Sequence, residues 1–232
     1  MKTTRSKVLL SIIYTVIFAI AMAFLESAVV IYLRRIYGIT ELSKALISFD
    51  NQILFIEAGR EFATLIMLCM VALLAGKNIQ SRLGYFLLLF GFWDIFYYFW
   101  LRVFIGWPLG WFETDLLFML PVPWWGPVLA PMLIAMLMIV TGIRLVVQAD
   151  RNNQIILRSW EWLVLIGGVG IDLFAFMADA LATLPASIDT LSRVRLSHFQ
   201  WVTFLFGLGM IGFSIRRIFY SSGRENKKNE SV

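Results

Sequence analysis

Residues 56–64 read IEAGREFAT and place three charged side chains near the start of an otherwise apolar run. Glu57 and Glu61 are one helical turn apart, so both point to one face of a helix, with Arg60 alongside. A charged side chain at the bilayer centre costs about 3 kcal/mol on insertion scales, so it normally pairs, lines a cavity or performs a function. This stretch therefore predicts a membrane protein with a polar interior.

The composition favours the polytopic membrane class. Of 232 residues, 60% are hydrophobic and 15% are charged, whereas soluble domains have about 45–50% apolar and about 25% charged residues. The net charge of +5 does not indicate nucleic-acid binding, because the basic residues lie at the ends of apolar runs and read as topology signals. The single cysteine, Cys69, excludes a disulfide within the chain.

Apolar runs of about 20 residues are needed to span a bilayer, and the chain offers six, at residues 8–33, 53–75, 83–105, 122–147, 160–183 and 198–220. We expect a single transmembrane helical domain over residues 1–220 and a disordered polar cytoplasmic tail over residues 221–232. The first apolar run continues well past the small-x-small pattern at residues 21–23, which favours an uncleaved span over a signal peptide. The predicted fold is an all-α bundle of about six transmembrane helices.

The connection between the third and fourth predicted helices, residues 106–127, is too apolar for a solvated loop and too rich in Pro and Gly for a span. It predicts a re-entrant or interfacial segment, with Glu113 and Asp115 facing the intramembrane acids or water. Non-helical backbone at membrane depth is tolerated only where protein or a cavity satisfies it. The alternative is an interfacial anchor formed by the tryptophans of this segment.

The basic residues favour placing both termini in the cytoplasm of a cell inner membrane, because the cytoplasmic segments then carry about twice as many Lys and Arg as the outer ones. With this orientation, most intramembrane carboxylates lie in the outer half of the bilayer, although they come from four different helices. These acids are Glu26, Glu57, Glu61, Asp94, Asp172 and Asp179.

The intramembrane polar residues supply the candidate site. The candidate catalytic residues are Glu57, Glu61, Asp94 and Asp179, and the candidate substrate-binding residues are Arg60, Arg102 and Tyr98. Asp94, Tyr98 and Arg102 follow one another at one-turn spacing, although an aromatic interface belt with one structural Asp–Arg pair fits the same pattern. A divalent cation bound by carboxylates would use Glu26, Glu57, Glu61, Asp94 and the single histidine, His198.

Two glycine patterns predict close helix packing. Residues 167–172 read GGVGID, and the glycines would help to shield Asp172 from lipid. Residues 207–212 read GLGMIG and match a dinucleotide-binding pattern, but no strand precedes them and they lie inside an apolar run. Helix packing is therefore the better interpretation of this second pattern.

Three classes of function fit the sequence. The first is a membrane-embedded enzyme that acts on a lipid-like substrate, by acid–base chemistry or with a carboxylate-bound cation. The second is a small transporter or channel coupled to protons or cations. The third is a non-catalytic subunit with structural ion pairs, bound to a membrane-protein partner or to a second copy of itself. Because the six acids outnumber Arg60 and Arg102, we expect the site to hold protons, water or a cation.

Overall fold

The structure is a computed structural model that describes residues 2–38, 51–185 and 198–220. This part of the chain forms six helices and a two-stranded sheet. The elements in chain order are α1 (Lys2–Ile36), α2 (Asn51–Ala75), α3 (Ile79–Ile105), β1 (Thr114–Phe118), β2 (Trp124–Pro127), α4 (Leu129–Asp150), α5 (Ser159–Ala182) and α6 (Trp201–Tyr220). The tail predicted at residues 221–232 lies outside the described residues.

The helices have the length and composition of membrane spans. Within the described ranges, α1 to α5 are each long and apolar enough to cross a membrane, and α6 contributes a shorter apolar helix over Trp201–Arg216. Large apolar side chains point outward, with Leu74 at 87% and Val202 at 85% exposure, as expected where lipid surrounds a bundle. The predicted all-α polytopic membrane bundle is confirmed.

The helices pack in two groups. In the first, α3 contacts α1, α2 and α4, while α5 and α6 form the second. Close approach between α3 and α4 depends on Gly84 and Gly142, since a Cβ added to Gly84 would lie 2.9 Å from the Gly142 carbonyl oxygen. The backbones of the two helices can therefore touch directly at this crossing.

A second glycine crossing joins α5 to α6. A Cβ added to Gly168 would lie 2.8 Å from the carbonyl oxygen of Gly207, whereas nothing lies within 4 Å of a Cβ at Gly209 or Gly212. Helix packing is therefore confirmed for the pattern at residues 207–212, but through its first glycine alone. The other two glycines of this pattern face open space.

The segment between α3 and α4 folds back into the bundle as a β-hairpin. Its strands pair antiparallel, with Asp115 opposite Gly126 and Leu116 opposite Trp125. At its tip, the ring of Phe118 lies 6.2 Å from that of Trp93. Trp93 precedes the end of α3 by 12 residues, which places the tip about 18 Å below the end of that helix. The hairpin is the predicted re-entrant segment.

The predicted start of the fourth helix at residue 122 was wrong. Residues 124–127 form β2, and α4 begins at Leu129. Prolines at positions 121, 123 and 127 explain the difference, because proline supplies no backbone N–H for a helix interior and disfavours helical geometry in the residue before it. The apolar run alone does not reveal this boundary.

Candidate functional site

Arg60 joins α1 to α2 through two carboxylates. Its Nη1 atom hydrogen-bonds to Oε1 of Glu26, and its Nε atom donates to Oε2 of Glu57 at 2.7 Å. The hydroxyl of Thr64 donates to the other oxygen of Glu26 at 3.3 Å. Both carboxylates are buried. One guanidinium therefore faces two acids, and the group carries an excess of negative charge when both are ionised.

Glu61 connects α2 to the hairpin. Its Oε2 atom accepts a hydrogen bond from the backbone N–H of Met119 at 2.9 Å, and the residue is buried. Met119 follows directly after β1 and starts the turn at the hairpin tip. Glu61 thus satisfies a backbone donor at the hairpin tip, as irregular backbone inside a membrane requires.

Asp115 is the most deeply buried acid of the hairpin, at 1% exposure. Its Oδ1 atom lies 3.6 Å from Nη2 of Arg34, whose guanidinium stacks 4.2 Å above the ring of Trp107. The phenols of Tyr98 and Tyr97 lie close enough to favour the ionised form of the same carboxylate, although neither meets hydrogen-bond geometry with it. Burial raises the pKa of Asp115 to about 6, although Arg34 and the two phenols work in the opposite direction.

A cavity of about 320 Å³ opens beside these groups, within the size range of small-molecule sites. Its charged and phenolic lining residues other than Asp172 form what we call the polar end, which consists of Glu26, Arg60, Glu61, Asp94, Tyr97, Tyr98 and Asp115. Most of the remaining wall is aromatic or aliphatic and includes Phe86, Phe90, Trp93, Phe118, Trp124, Ile134, Met138, Leu173 and Phe176. The cavity therefore suits an amphipathic molecule.

Two aspartates of this lining come from different helix groups. Asp94 belongs to α3 and feels the charge of Asp115, so both contribute to the polar end. Asp172 belongs to α5, where it lies against Gly207 so closely that an added Cβ at that glycine would collide with its carboxylate. Asp172 is 3% exposed, and of the glycines expected to shield it, Gly168 packs closely against Gly207 whereas Gly170 faces open space.

Six of the sequence-predicted site residues gather around Arg60 and the cavity: Glu26, Glu57, Arg60, Glu61, Asp94 and Tyr98. Arg102 does not join them. It is exposed, and its Nη1 atom donates to the carbonyls of Gly106 at 2.6 Å and Pro108 at 2.7 Å. Carbonyl groups at a helix C-terminus lack helical donors, so Arg102 caps α3 instead of continuing the stripe of Asp94 and Tyr98.

Two other predicted residues lie away from the cavity. Asp179 is two turns beyond Asp172 on α5 and is partly buried, but it does not contribute to the cavity wall that the described residues form. His198 is exposed, three residues before α6 begins. Neither position therefore supports a direct role at the polar end.

The residues proposed to hold a divalent cation do not assemble as a ligand set. Within the described ranges, no three His, Cys, Asp or Glu side chains come together in a way that could hold a metal ion. Glu26 and Glu57 bind the Arg60 guanidinium instead, while Glu61 accepts from the hairpin backbone. These side chains form a carboxylate–guanidinium network, and no step of the proposed chemistry uses a metal.

Sequence reasoning missed four residues of the site. Arg34 and Tyr97 are not among the candidate residues that the sequence supplies, and the sequence gives Asp115 and Asp172 no catalytic or binding role. The sequence does indicate a role for Asp115, because an acid in an apolar re-entrant segment needs a polar partner within the bundle. Arg34 carried no comparable signal, because an arginine at the end of a span normally reaches the interface.

Fold and site together define a polytopic membrane protein with a largely apolar cavity whose polar end is mainly acidic, beside a re-entrant β-hairpin. Comparison with models of protein families, with curated proteins and with solved structures finds no match to this chain. The function of the site is therefore inferred from its geometry alone.

Proposed function

We propose that the protein is a membrane-embedded enzyme that binds a lipid-like substrate in the cavity and transfers protons at the polar part of that substrate. The lining of the cavity carries this proposal. Carboxylates and phenols meet at the polar end, while aromatic and aliphatic side chains form most of the remaining wall. A molecule with an apolar body and one polar group matches both surfaces.

Asp94, Asp115 and Tyr98 are the proposed reacting groups. Asp115 has a pKa of about 6, and a general acid or base works best when its pKa lies near the working pH. Asp94 is the neighbouring carboxylate that exchanges a proton with the substrate, and Tyr98 offers a phenolic donor to a developing negative charge. Glu57 and Glu61 are positioning residues in this scheme, because their carboxylates hold Arg60 and the hairpin.

The charge balance favours a substrate that is neutral or cationic at its polar group. Arg60 lines the cavity, but its Nε and Nη1 atoms are already bonded to Glu57 and Glu26. The two carboxylates already outnumber the single guanidinium, so an anionic group bound there would add to an excess of negative charge. We therefore propose that Arg60 sets the local potential and that it does not bind the substrate directly.

The orientation proposed from the basic residues completes this picture. With both termini in the cytoplasm of the inner membrane, the hairpin enters from the outer face, because α3 ends on that side. The polar end then lies towards the outer half of the bilayer, and a lipid-like substrate reaches the cavity from within the membrane.

Turnover of membrane lipids tests the enzyme proposal. Purified protein would be reconstituted with a native lipid extract, and mass spectrometry would follow which lipids are consumed and which products appear. We expect turnover with the wild type and with Asp150→Asn, a matched substitution at the C-terminal end of α4 and outside the cavity lining. Asp94→Asn should lower the rate at least about 100-fold, since a positioned acid or base contributes about 10²–10⁴. Equal turnover by Asp94→Asn would refute this mechanism.

A proton- or cation-coupled transporter is the second candidate, and the charge count of the site favours it. Among the described residues, six acids surround the cavity and its ion pairs, namely Glu26, Glu57, Glu61, Asp94, Asp115 and Asp172, against the two arginines Arg34 and Arg60. Buried acids in excess of cations are typical of proton relays. In liposomes with a pH-sensitive dye inside, this candidate predicts proton flux that Asp94→Asn abolishes, without any lipid turnover.

The third candidate, a non-catalytic subunit, predicts neither turnover nor flux. The Arg60 network would then be structural, and a membrane protein that co-purifies with the wild type would be lost from Glu61→Gln. Co-purification from native membranes, followed by identification of the bound protein, distinguishes this outcome from the other two.

A further inference from the structure

One carboxylate of the cavity has no partner. Asp172 lines the cavity and is 3% exposed, yet neither of its oxygens has a hydrogen-bond partner among the described residues. The backbone N–H of Leu208 lies nearby without meeting hydrogen-bond geometry. Asp172 lies on α5, whereas the residues of the polar end come from α1, α2, α3 and the hairpin.

The surroundings of Asp172 are apolar. Gly207 of α6 packs against the carboxylate, while Leu173 and Phe176 lie on the same wall of the cavity. Ten residues separate Asp172 from the end of α5, which places it about 15 Å from that end and near the middle of a bilayer. An ionised carboxylate is strongly disfavoured in such a place unless a donor or a cation meets it.

The rest of the cavity favours a cation as that partner. Acids outnumber arginines around the cavity, and aromatic rings such as those of Trp93, Trp124 and Phe176 line it. Aromatic faces attract organic cations, and they do so more strongly where water is excluded. An ammonium group would therefore be stabilised by the carboxylate and by the rings together.

We propose that Asp172 is the binding site for the ammonium group of an amphipathic amine. The ammonium N–H groups donate to the Asp172 carboxylate after its side chain turns from Gly207 towards the cavity, because its oxygens have almost no accessible surface while they pack against that glycine. The apolar body of the amine lies along the aromatic and aliphatic wall. The inference rests on the proposed function in one respect, because it names the substrate class of the same cavity. No covalent step is part of it.

Equilibrium binding of tritiated decylamine tests the site. The purified protein would be placed in lipid nanodiscs at pH 8, with binding to empty nanodiscs subtracted. Decylamine is fully protonated there, since alkyl ammonium groups have pKa values close to that of lysine, about 10.4. We expect saturable binding to the wild type, displaced by unlabelled decylamine at much lower concentration than by decanol. Asp172→Asn should weaken binding about 10- to 100-fold, the value of a charged hydrogen bond.

The controls separate this inference from the enzyme proposal. Asp150→Asn should bind decylamine like the wild type. The comparison of decylamine with decanol uses the wild type alone, so it remains decisive even if a variant fails to fold. Equal displacement by the alcohol and the amine, or unchanged binding by folded Asp172→Asn, would overturn the inference. Lipid turnover that still depends on Asp94 would then leave the enzyme proposal standing. Conversely, amine binding that depends on Asp172, in the absence of turnover, would support the site and refute the enzyme.

Discussion

Arg60 shows how a guanidinium can be held inside a membrane. It is bonded to one carboxylate on its own helix and to one on α1, and the attraction between the guanidinium and each carboxylate lowers the cost of burying both partners. Removing one residue of this group should strongly destabilise the protein, because a buried charge then remains uncompensated. The network therefore links two helices and also makes each of its residues hard to replace.

Replacing Arg60 by Met should destabilise the protein by about 3–5 kcal/mol, because Glu26 and Glu57 would lose their cation. The free energy of unfolding in mixed micelles measures this. The double variant Glu26→Gln/Arg60→Met is the control and should recover part of the loss, since one of the two unpaired charges is then gone. A single variant as stable as the wild type would show that the acids are neutral without Arg60.

Asp115 should make stability depend on pH. Its pKa is raised from 3.8 to about 6, so the folded protein binds this proton more tightly than the unfolded chain. The resulting stabilisation is fully present below pH 3.8, is lost as the pH rises through about 6, and amounts to about 3 kcal/mol. Unfolding measured from pH 4 to pH 8 should show this decline in the wild type relative to Asp115→Asn. A constant difference between the two proteins over that range would contradict the prediction.

At the scale of elements, the hairpin is tied to both helix groups. β2 packs against α5 and α4, while the turn after β1 is bonded to Glu61 of α2. A two-stranded hairpin is at best marginally stable in isolation. Its conformation therefore depends on the helices around it, and the Glu61 bond is one contact that can be removed selectively.

Replacing Glu61 by Leu should loosen the hairpin tip, because the Met119 N–H would lose its acceptor at a cost of about 1–3 kcal/mol. Hydrogen exchange followed by mass spectrometry should show faster exchange in the peptide that covers residues 116–125. Glu113→Gln is the matched control, since among the described residues Glu113 accepts a hydrogen bond from the exposed backbone N–H of Leu109 alone. Unchanged exchange in Glu61→Leu would mean that the hairpin is held by its other contacts.

At the α5–α6 crossing, we expect alanine substitutions at two glycines of α6 to change the stability of the protein in opposite directions. Gly207→Ala should destabilise by about 1–3 kcal/mol, because its Cβ would collide with Asp172 and lie 2.9 Å from the Gly168 carbonyl oxygen. Gly209→Ala should stabilise by about 0.5–1 kcal/mol, since nothing lies within 4 Å of its Cβ and alanine is the better helix residue. Thermal unfolding of both variants shows whether each substitution lowers or raises the stability. Equal shifts in the two proteins would show that this crossing is not tightly packed.

At the scale of the whole molecule, apolar length and charge placement were sufficient to predict the bundle, the re-entrant segment and the meeting of Glu57, Arg60 and Glu61 with other acids. The sequence did not indicate which residue each charged side chain would pair with. Arg102 satisfies carbonyls at the end of its own helix, whereas Arg34, also at a helix end, turns inward to Asp115. The difference between the two arginines depends on the position of the hairpin, which is set by its packing against the helices and cannot be read from the hydrophobic periodicity of the sequence.

The proposed topology predicts that both termini face the cytoplasm. A C-terminal green fluorescent protein should therefore fluoresce, whereas alkaline phosphatase at the same position should remain inactive. A phosphatase fused within residues 106–113 of a truncated chain should be active, because that connection is proposed to face outward. Active phosphatase at the C-terminus would invert the orientation, or require an odd number of spans.

The bond between Glu61 and the hairpin joins a side chain to a main-chain N–H, which has a consequence for how this protein can vary. Every residue except proline supplies that N–H, so side chains at position 119 can change while the attachment is kept. Selection could thus alter the tip of the hairpin, and with it the shape of the space beside Phe118, while the tether itself stays in place. Variation at the tip and constancy at Glu61 are what a site with adaptable ligand preference would display.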